Sequence, residues 1–308
     1  MTIFSGSAEI AALDVIKILL EPKQAPSLPA EGRIVWEFRL PRALAATLAG
    51  AALSLSGLLL QSVFKNPLAG PFVLGISSGA SLGVALFLLA GLGLGSLGLL
   101  SAAALGAIAV LAFIAIFSKF IPGKASLLIL GLMAGYFTDA IVSILMHGTH
   151  SEALRSFISW GFGSFGRLRL EELPYFASCV LLGLALSVFC IKYLNAMALG
   201  DDGAKSLGIN VEQKRLLSLL AAAILAAAAT SFCGPIGFIG MATPHLARGF
   251  FKSDNQRILI PASLLTGALL ALAAGLLSQG LWGMPSLPLN AVASLMGAPV
   301  VIWVLFHK

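Results

Sequence analysis

Residues 39–80 read RLPRALAATLAGAALSLSGLLLQSVFKNPLAGPFVLGISSGA. Arg39 and Arg42 bracket Leu40-Pro41, and residues 43–64 then run for 22 positions without a charge. At 1.5 Å per residue such a helix is roughly 33 Å long, enough to cross a bilayer core of about 30 Å. A polar break follows, Lys65-Asn66-Pro67, and then a second apolar segment rich in glycine and serine, residues 72–92. Charged entry, clean span, Asn-Pro turn and small-residue return predict a helical hairpin inside a membrane.

The composition agrees. Of 308 residues, 58% are hydrophobic and only 10% charged, and the mean hydropathy is +0.98. A soluble domain carries about a quarter charged residues, so the chain reads as an all-α polytopic membrane protein. Its net charge of +6 fits basic loops on one side of a membrane, and with no long basic run or basic-aromatic patch it does not point to nucleic acid. Cys179, Cys190 and Cys233 all fall in apolar segments; the first two would lie roughly 16 Å apart along one helix, beyond disulfide reach. No Cys/His cluster or complete phosphate-binding loop points to a resident metal or nucleotide, and no cofactor is expected.

Further spans are expected at residues 94–117, 125–146, 173–194, 216–233, 258–281 and 287–306, with a glycine- and proline-broken segment at 235–248, giving about nine in all. Residues 1–42 read as an external or interfacial segment before a transmembrane domain, 43–308: an amphipathic stretch near residues 10–20, then a linker marked by Pro22, Pro26 and Pro29. Residues 151–163 read as a second interfacial helix, with Leu154, Phe157 and Ile158 on one face and Trp160 as its anchor. Placing Lys65, the 119–124 turn, the 192–215 region, the 248–257 loop and Lys308 on one side collects 11 of the 19 basic residues there against four acids. That side is assigned to the cytoplasm.

Small residues Ala46, Gly50 and Ser54 recur every fourth position, which lets helix backbones approach closely. Residues 57–67 and 234–244 echo each other in spacing from glycine to proline; paired broken segments mark transport pathways, though glycine-rich membrane helices also look alike by chance. Asp139 is the one acid inside a span, a feature of water-filled paths and proton relays, and equally of an acid hydrogen-bonded near a helix break. His245, after Pro244, reads as a cap on a broken helix. The 195–215 loop contains ALGDDGAKSLGI, a polar linker whose aspartates suit a helix start.

Taken together, these stretches resemble the FecCD-type (BtuC-like) permeases, membrane subunits of binding-protein-dependent ABC importers for iron–siderophore complexes, heme and cobalamin. The resemblance rests on Arg39-Leu40-Pro41-Arg42, GAALSLSG, Asn66-Pro67-Leu68-Ala69, ALGDDGAKSLGI, GPIGFIGMATPHLAR (234–248), Leu287-Pro288-Leu289-Asn290 and Gly297-Ala298-Pro299. It implies a homodimer in the cytoplasmic (inner) membrane, surrounded by lipid, with ten helices per subunit and a pathway at the dimer axis. Two ABC ATPase subunits, which carry the enzymatic activity, would dock on a coupling loop, 196–212, through Ala198, Leu199, Gly200, Asp201, Asp202, Ala204, Leu207 and Gly208. A periplasmic or lipid-anchored substrate-binding protein would meet Arg39 and Arg42. Asn66, Pro67, Ala125, Ser126, Asp139, Pro244 and His245 would belong to the gate and pathway, the 119–126 turn resembling the cytoplasmic gate.

The chain departs from the family in three places. The first family helix has no counterpart, Phe4-Ser5-Gly6-Ser7 resembling its tail. Gln279 stands where the family has an arginine, and Gly275 where it commonly has an acid. The function implied is a permease moving a ferric siderophore or heme; the alternatives are a cobalamin permease of the same family, an ion-coupled secondary transporter using Asp139, and a non-transporting scaffold.

Overall fold

The computed structural model describes residues 10–20, 30–89, 95–117, 120, 124–149, 151–280 and 286–306. Residues 1–9, the linker prolines and half of the 119–126 turn lie outside the described residues.

Every regular element among the described residues is a helix. Helix α1 (Ala12–Leu20) turns Val15 and Ile18 onto Val35, while Trp36 Nε1 donates to Ile18 O at 3.1 Å. Its opposite face leaves Leu13 and Leu20 exposed. Helix α2 (Ala30–Arg33) continues through a π-helical segment, Ile34–Arg39, into α3 (Leu40–Phe64). Pro41 has no N–H to give the helix. The preceding turn takes the wider π register, in which Leu40 N bonds Val35 O, and the rod continues past the proline.

Then follow α4 (Ile76–Leu89), α5 (Gly95–Phe117), α6 (Lys124–His147), α7 (Ser151–Gly161), α8 (Leu173–Phe189), α9 (Ile191–Ala196), α10 (Gly200–Ser206), α11 (Val211–Cys233), α12 (Ile239–Phe251), α13 (Gln256–Ser278) and α14 (Leu289–Phe306). Against an expectation of about nine spans, five helices among the described residues are long and apolar enough to cross a membrane. These are Ala30–Phe64, Gly98–Phe117, Ser126–His147, Val211–Cys233 and Gln256–Ser278. A sixth is a pair bent by 50° after Phe189, and Ile76–Leu89 and Leu289–Trp303 are shorter apolar helices. The remaining expected segment, 235–248, forms only the 13-residue α12.

The centre of the bundle is α3, whose span is 78% buried. It packs against α8, α11, α12 and α13. The expected hairpin does not form: α4 packs on α5 and α6, and its contact with α3 is slight. The cause is the connection. After the Lys65 cap (φ 50), a short 3-10 turn, Pro71–Leu74, ends at Gly75 with φ 67. A Cβ there would stand 2.8 Å from Gly131 O, so the chain is pressed onto α6 instead of folding back.

Two glycine contacts set how closely α3 meets its neighbours. A Cβ on Gly50 would lie 2.2 Å from Gly267 O of α13, and one on Gly57 would lie 1.6 Å from Gly240 O of α12. The Ala46/Gly50/Ser54 face therefore serves the close approach its spacing predicts. Gly57 and Gly240 lie in the two echoing segments, 57–67 and 234–244, but at different places in them, so their contact does not follow the echo. Ser56 Oγ adds a hydrogen bond to Ala222 O of α11 at 2.7 Å.

The anchor role expected of Trp160 on α7 needs correction. Phe157 and Trp160 are buried, with Trp160 only 2% exposed, while Ile158 is 41% exposed. Three- and four-residue spacing puts Phe157 and Trp160 together against the bundle, so Trp160 is a core residue rather than an anchor.

Overpacking a tight contact typically costs 1–3 kcal/mol, and the Gly57 contact involves rigid backbone on both sides. Gly57→Ala is expected to destabilise the folded protein by about 3 kcal/mol or more, read as a lower unfolding midpoint in detergent. Gly148→Ala, with nothing within 4 Å of the added carbon, should leave the midpoint unchanged.

Candidate transport site and docking surfaces

Helix α3 carries a polar site at each end. At the Arg39 end, a cavity of about 560 Å³ is lined by Arg39, Arg42, Ser164, Gly166, Gly275 and Gln279, among others. Arg39 is 6% exposed, held at the last turn of the π segment, and Arg42 is half-buried one turn further on. A Cβ on Gly166 would come 2.9 Å from Arg42 Nη2, so the guanidinium lies flat against that glycine. Ser164 Oγ accepts from Gly166 N at 3.1 Å and fixes the turn. Arg167 anchors the same loop, donating to Trp160 O at 3.1 Å and to Ser159 O; burial lowers its pKa. Gly275 and Gln279, the two positions that depart from the family pattern, line this very cavity. Gln279 Nε2 donates to Gly275 O at 3.2 Å.

At the other end, the Lys65-Asn66-Pro67 turn is fastened to α12. Asn66 Oδ1 accepts from Leu68 N at 2.9 Å, and His245 Nε2 lies 2.8 Å from Pro67 O. His245 thus holds a distant turn, and Pro244 sits inside α12. Sequence reasoning missed the most connected group here, Gln61. Its Nε2 donates to Met241 O at 3.0 Å, and its Oε1 accepts from Arg248 Nη1 at 2.8 Å. Arg248 Nε also faces Asp254 Oδ1 at 3.8 Å. Nearby, Gln256 Nε2 donates to Ser62 Oγ at 3.2 Å, and Gln256 N to Asn195 Oδ1 at 2.8 Å. One long polar side chain in the charge-free run 43–64 was the available signal: buried amides in membranes need partners.

Beside this network lies the 196–212 region. Ala198, Leu199, Asp202, Leu207 and Gly208 are exposed, Leu199 at 71% and Leu207 at 62%. Gly200 (φ 91) and Gly208 (φ 75) flank the short α10. Ala204 is fully buried and acts as the foot of that helix. Its N-cap residue is Leu199, which makes no side-chain cap bond. Asp201 Oδ2 instead accepts from Arg215 Nη2 at 2.7 Å, tying α10 to α11, while Asp202 stays exposed. Caps come from asparagines: Asn210 Oδ1 accepts from Gln213 N and Asn255 Oδ1 from Arg257 N.

The remaining residues lie on α6. Ala125 belongs to its first turn, with its side chain outside the described residues, and Ser126 is exposed. Asp139 is also exposed, in an unbroken stretch of helix, and accepts from Ser78 Oγ of α4 at 3.2 Å.

The whole bundle superposes on a solved structure described as an inward-facing conformation of a putative metal-chelate type ABC transporter, with a TM-score of 0.84 and 28% identity over 96% of each chain. The fold is thus that of a membrane transport permease. The model of the FecCD transport family matches residues 1–307, and the chain belongs to that family, as an ABC transporter permease. Among its relatives are the hemin transport system permease HmuU of Yersinia pestis, 37% identical over 280 residues covering 89% of this chain and 84% of the relative. The vitamin B12 import permease BtuC of Vibrio cholerae is 37% identical over 282 residues, covering 90% of this chain and 84% of the relative.

Removing one member of a buried hydrogen-bonded pair strands the other, at about 1–3 kcal/mol. Gln61→Leu and Arg248→Met should each destabilise the protein, and the double variant less than their sum. Unfolding midpoints in a double-mutant cycle would measure the coupling; strict additivity would show that the pair does not act together.

Proposed function

We propose that this protein is the transmembrane subunit of a binding-protein-dependent importer in the cytoplasmic (inner) membrane. It moves an iron complex, a ferric siderophore or heme, with ATP hydrolysed by partner subunits. The observation that carries the reading is the exposed surface of Ala198, Leu199, Asp202 and Leu207 beside the Gln61–Arg248 network. Two large apolar side chains held out from a membrane bundle by a short helix suit insertion into a groove on a partner. Two such partners, one per protomer of a homodimer, would pull on the end of α3 when they close. The vitamin B12 relatives support cobalamin as the alternative cargo.

At the opposite end, an acidic side chain of a substrate-binding protein entering the cavity would meet the Arg42 guanidinium, whose fork suits a carboxylate. Arg39, being buried, shapes that cavity more than it offers itself to the partner. By the distribution of Lys and Arg, the Lys65 end faces the cytoplasm and the Arg39 end the exterior.

In vesicles holding the permease, its ATPase and its binding protein, substrate uptake is expected to require ATP; uptake that persists without nucleotide would sink this reading. Leu199→Asp with Leu207→Asp should abolish co-purification of the ATPase while leaving the permease folded. Arg42→Glu is expected to weaken binding-protein affinity by about tenfold or more, measured by surface-immobilised titration, with ATPase assembly intact.

A further inference from the structure

Helix α6 carries one carboxylate, Asp139, and the helix is continuous on both sides of it. Counting from its ends, Asp139 stands about 22 Å from Lys124 and about 12 Å from His147, well inside the span. Steps of three and four residues place Tyr136, Asp139, Ser143 and His147 on one face, and all four are exposed in the protomer. Among the described residues the carboxylate receives one hydrogen bond from a side chain, from Ser78 Oγ at 3.2 Å. The Ser143 hydroxyl donates to the Asp139 carbonyl at 2.9 Å. No Lys or Arg pairs with Asp139 among the described residues. A charge at this depth is strongly disfavoured against lipid, and such groups face a water-filled path or another protein surface.

We propose that this face of α6 lines the translocation path and that Asp139 acts there as an electrostatic filter, admitting neutral or cationic metal chelates ahead of anionic ones. The inference rests on the importer reading for what moves along the path, but not for the filter itself. Apolar walls focus the field of a charge into a narrow aqueous space, and acidic side chains lining such spaces favour cations and repel anions. Ser78 orients the carboxylate without neutralising it. In a two-fold assembly the charge occurs twice. Chelates whose ligand charges cancel that of the metal, such as a ferric trihydroxamate or a cobalt corrinoid, are then preferred over complexes with surplus carboxylates or catecholates. Heme, with its two propionates, ranks below them.

The test places a thiol one turn along the same face, Ser143→Cys, in the full chain in membrane vesicles. Peptide mass spectrometry then follows its modification by a cationic and an anionic thiosulfonate reagent of similar size. With Asp139 present, the cationic reagent is expected to react about fivefold faster than the anionic one after correction for intrinsic rates. The preference should fall to about unity in Asp139→Asn and invert in Asp139→Lys. The same preference with Asp139 and with Asn, or no reaction from either side of the membrane, overturns the filter. Should the Asn variant fail to reach the membrane, Asp139→Ser makes the same comparison. In ATP-driven uptake, Asp139→Asn should raise the ratio of a carboxylate-bearing to a neutral ferric trihydroxamate by about fivefold. An unchanged ratio refutes the substrate preference. Absence of any ATP-driven uptake, with the labelling preference intact, refutes the importer reading and leaves the filter standing.

Discussion

In a bilayer, lipid tails are as apolar as leucine, so helices gain nothing by hiding leucines from them. What holds them together is dispersion between surfaces that touch, and that depends on how near two backbones can come. Here the limiting approach is at α3. Gly57 against Gly240 and Gly50 against Gly267 bring its axis close to α12 and α13, and Ser56 bonds it to α11. Every other placement follows from that rod being central. The cavity with Arg42 is where one end of α3 emerges, and the Gln61–Arg248 network is where the other end is fastened.

The two polar ends are built on different principles. At the Arg39 end, proline and the π register hold guanidinium groups over an open cavity bordered by glycines. At the Lys65 end, amides, an imidazole and a guanidinium bond to one another, to α12 and to the Pro67 turn, while Gln256 Oε1 is buried without a partner among the described residues. Irregular backbone in a membrane is tolerated only where protein or water satisfies it. The bundle therefore has an open end and a tied end.

Much of this was legible in the sequence. Uninterrupted apolar runs of about 22 residues have few structural solutions, and the stripe of Ala46, Gly50 and Ser54 announced close packing. What was not legible has a common cause. Membrane helices are apolar all round, so periodicity says little about which neighbour a helix chooses. The sequence neighbours α3 and α4 looked like a hairpin, but Gly75 and the 3-10 turn sent α4 to α6. Trp160 looked like an anchor because tryptophan favours interfaces, yet the phase of α7 puts it in the core. Asp201 looked like a cap, and its partner Arg215 lies 14 residues on. Gln61 and Arg248, 187 residues apart, could be joined only by the fold. The candidate site was half visible: Arg39, Arg42, Asn66 and Pro67 were located by motif, but the cavity and the network that give them surroundings were not.

The uninterrupted course of α3 has a mechanical consequence. From Leu40 to Phe64 it is a rigid strut about 37 Å long, gripped near its middle by the Gly50 and Gly57 contacts. Gripped there, it behaves as a seesaw. A tilt of about 5° carries each end through roughly 1.5 Å in opposite directions, enough to stretch a 2.8 Å hydrogen bond past its useful range. A push on the arginine end would thus be felt at Gln61 with its sense reversed and, the arm there being shorter, at roughly two thirds of its size.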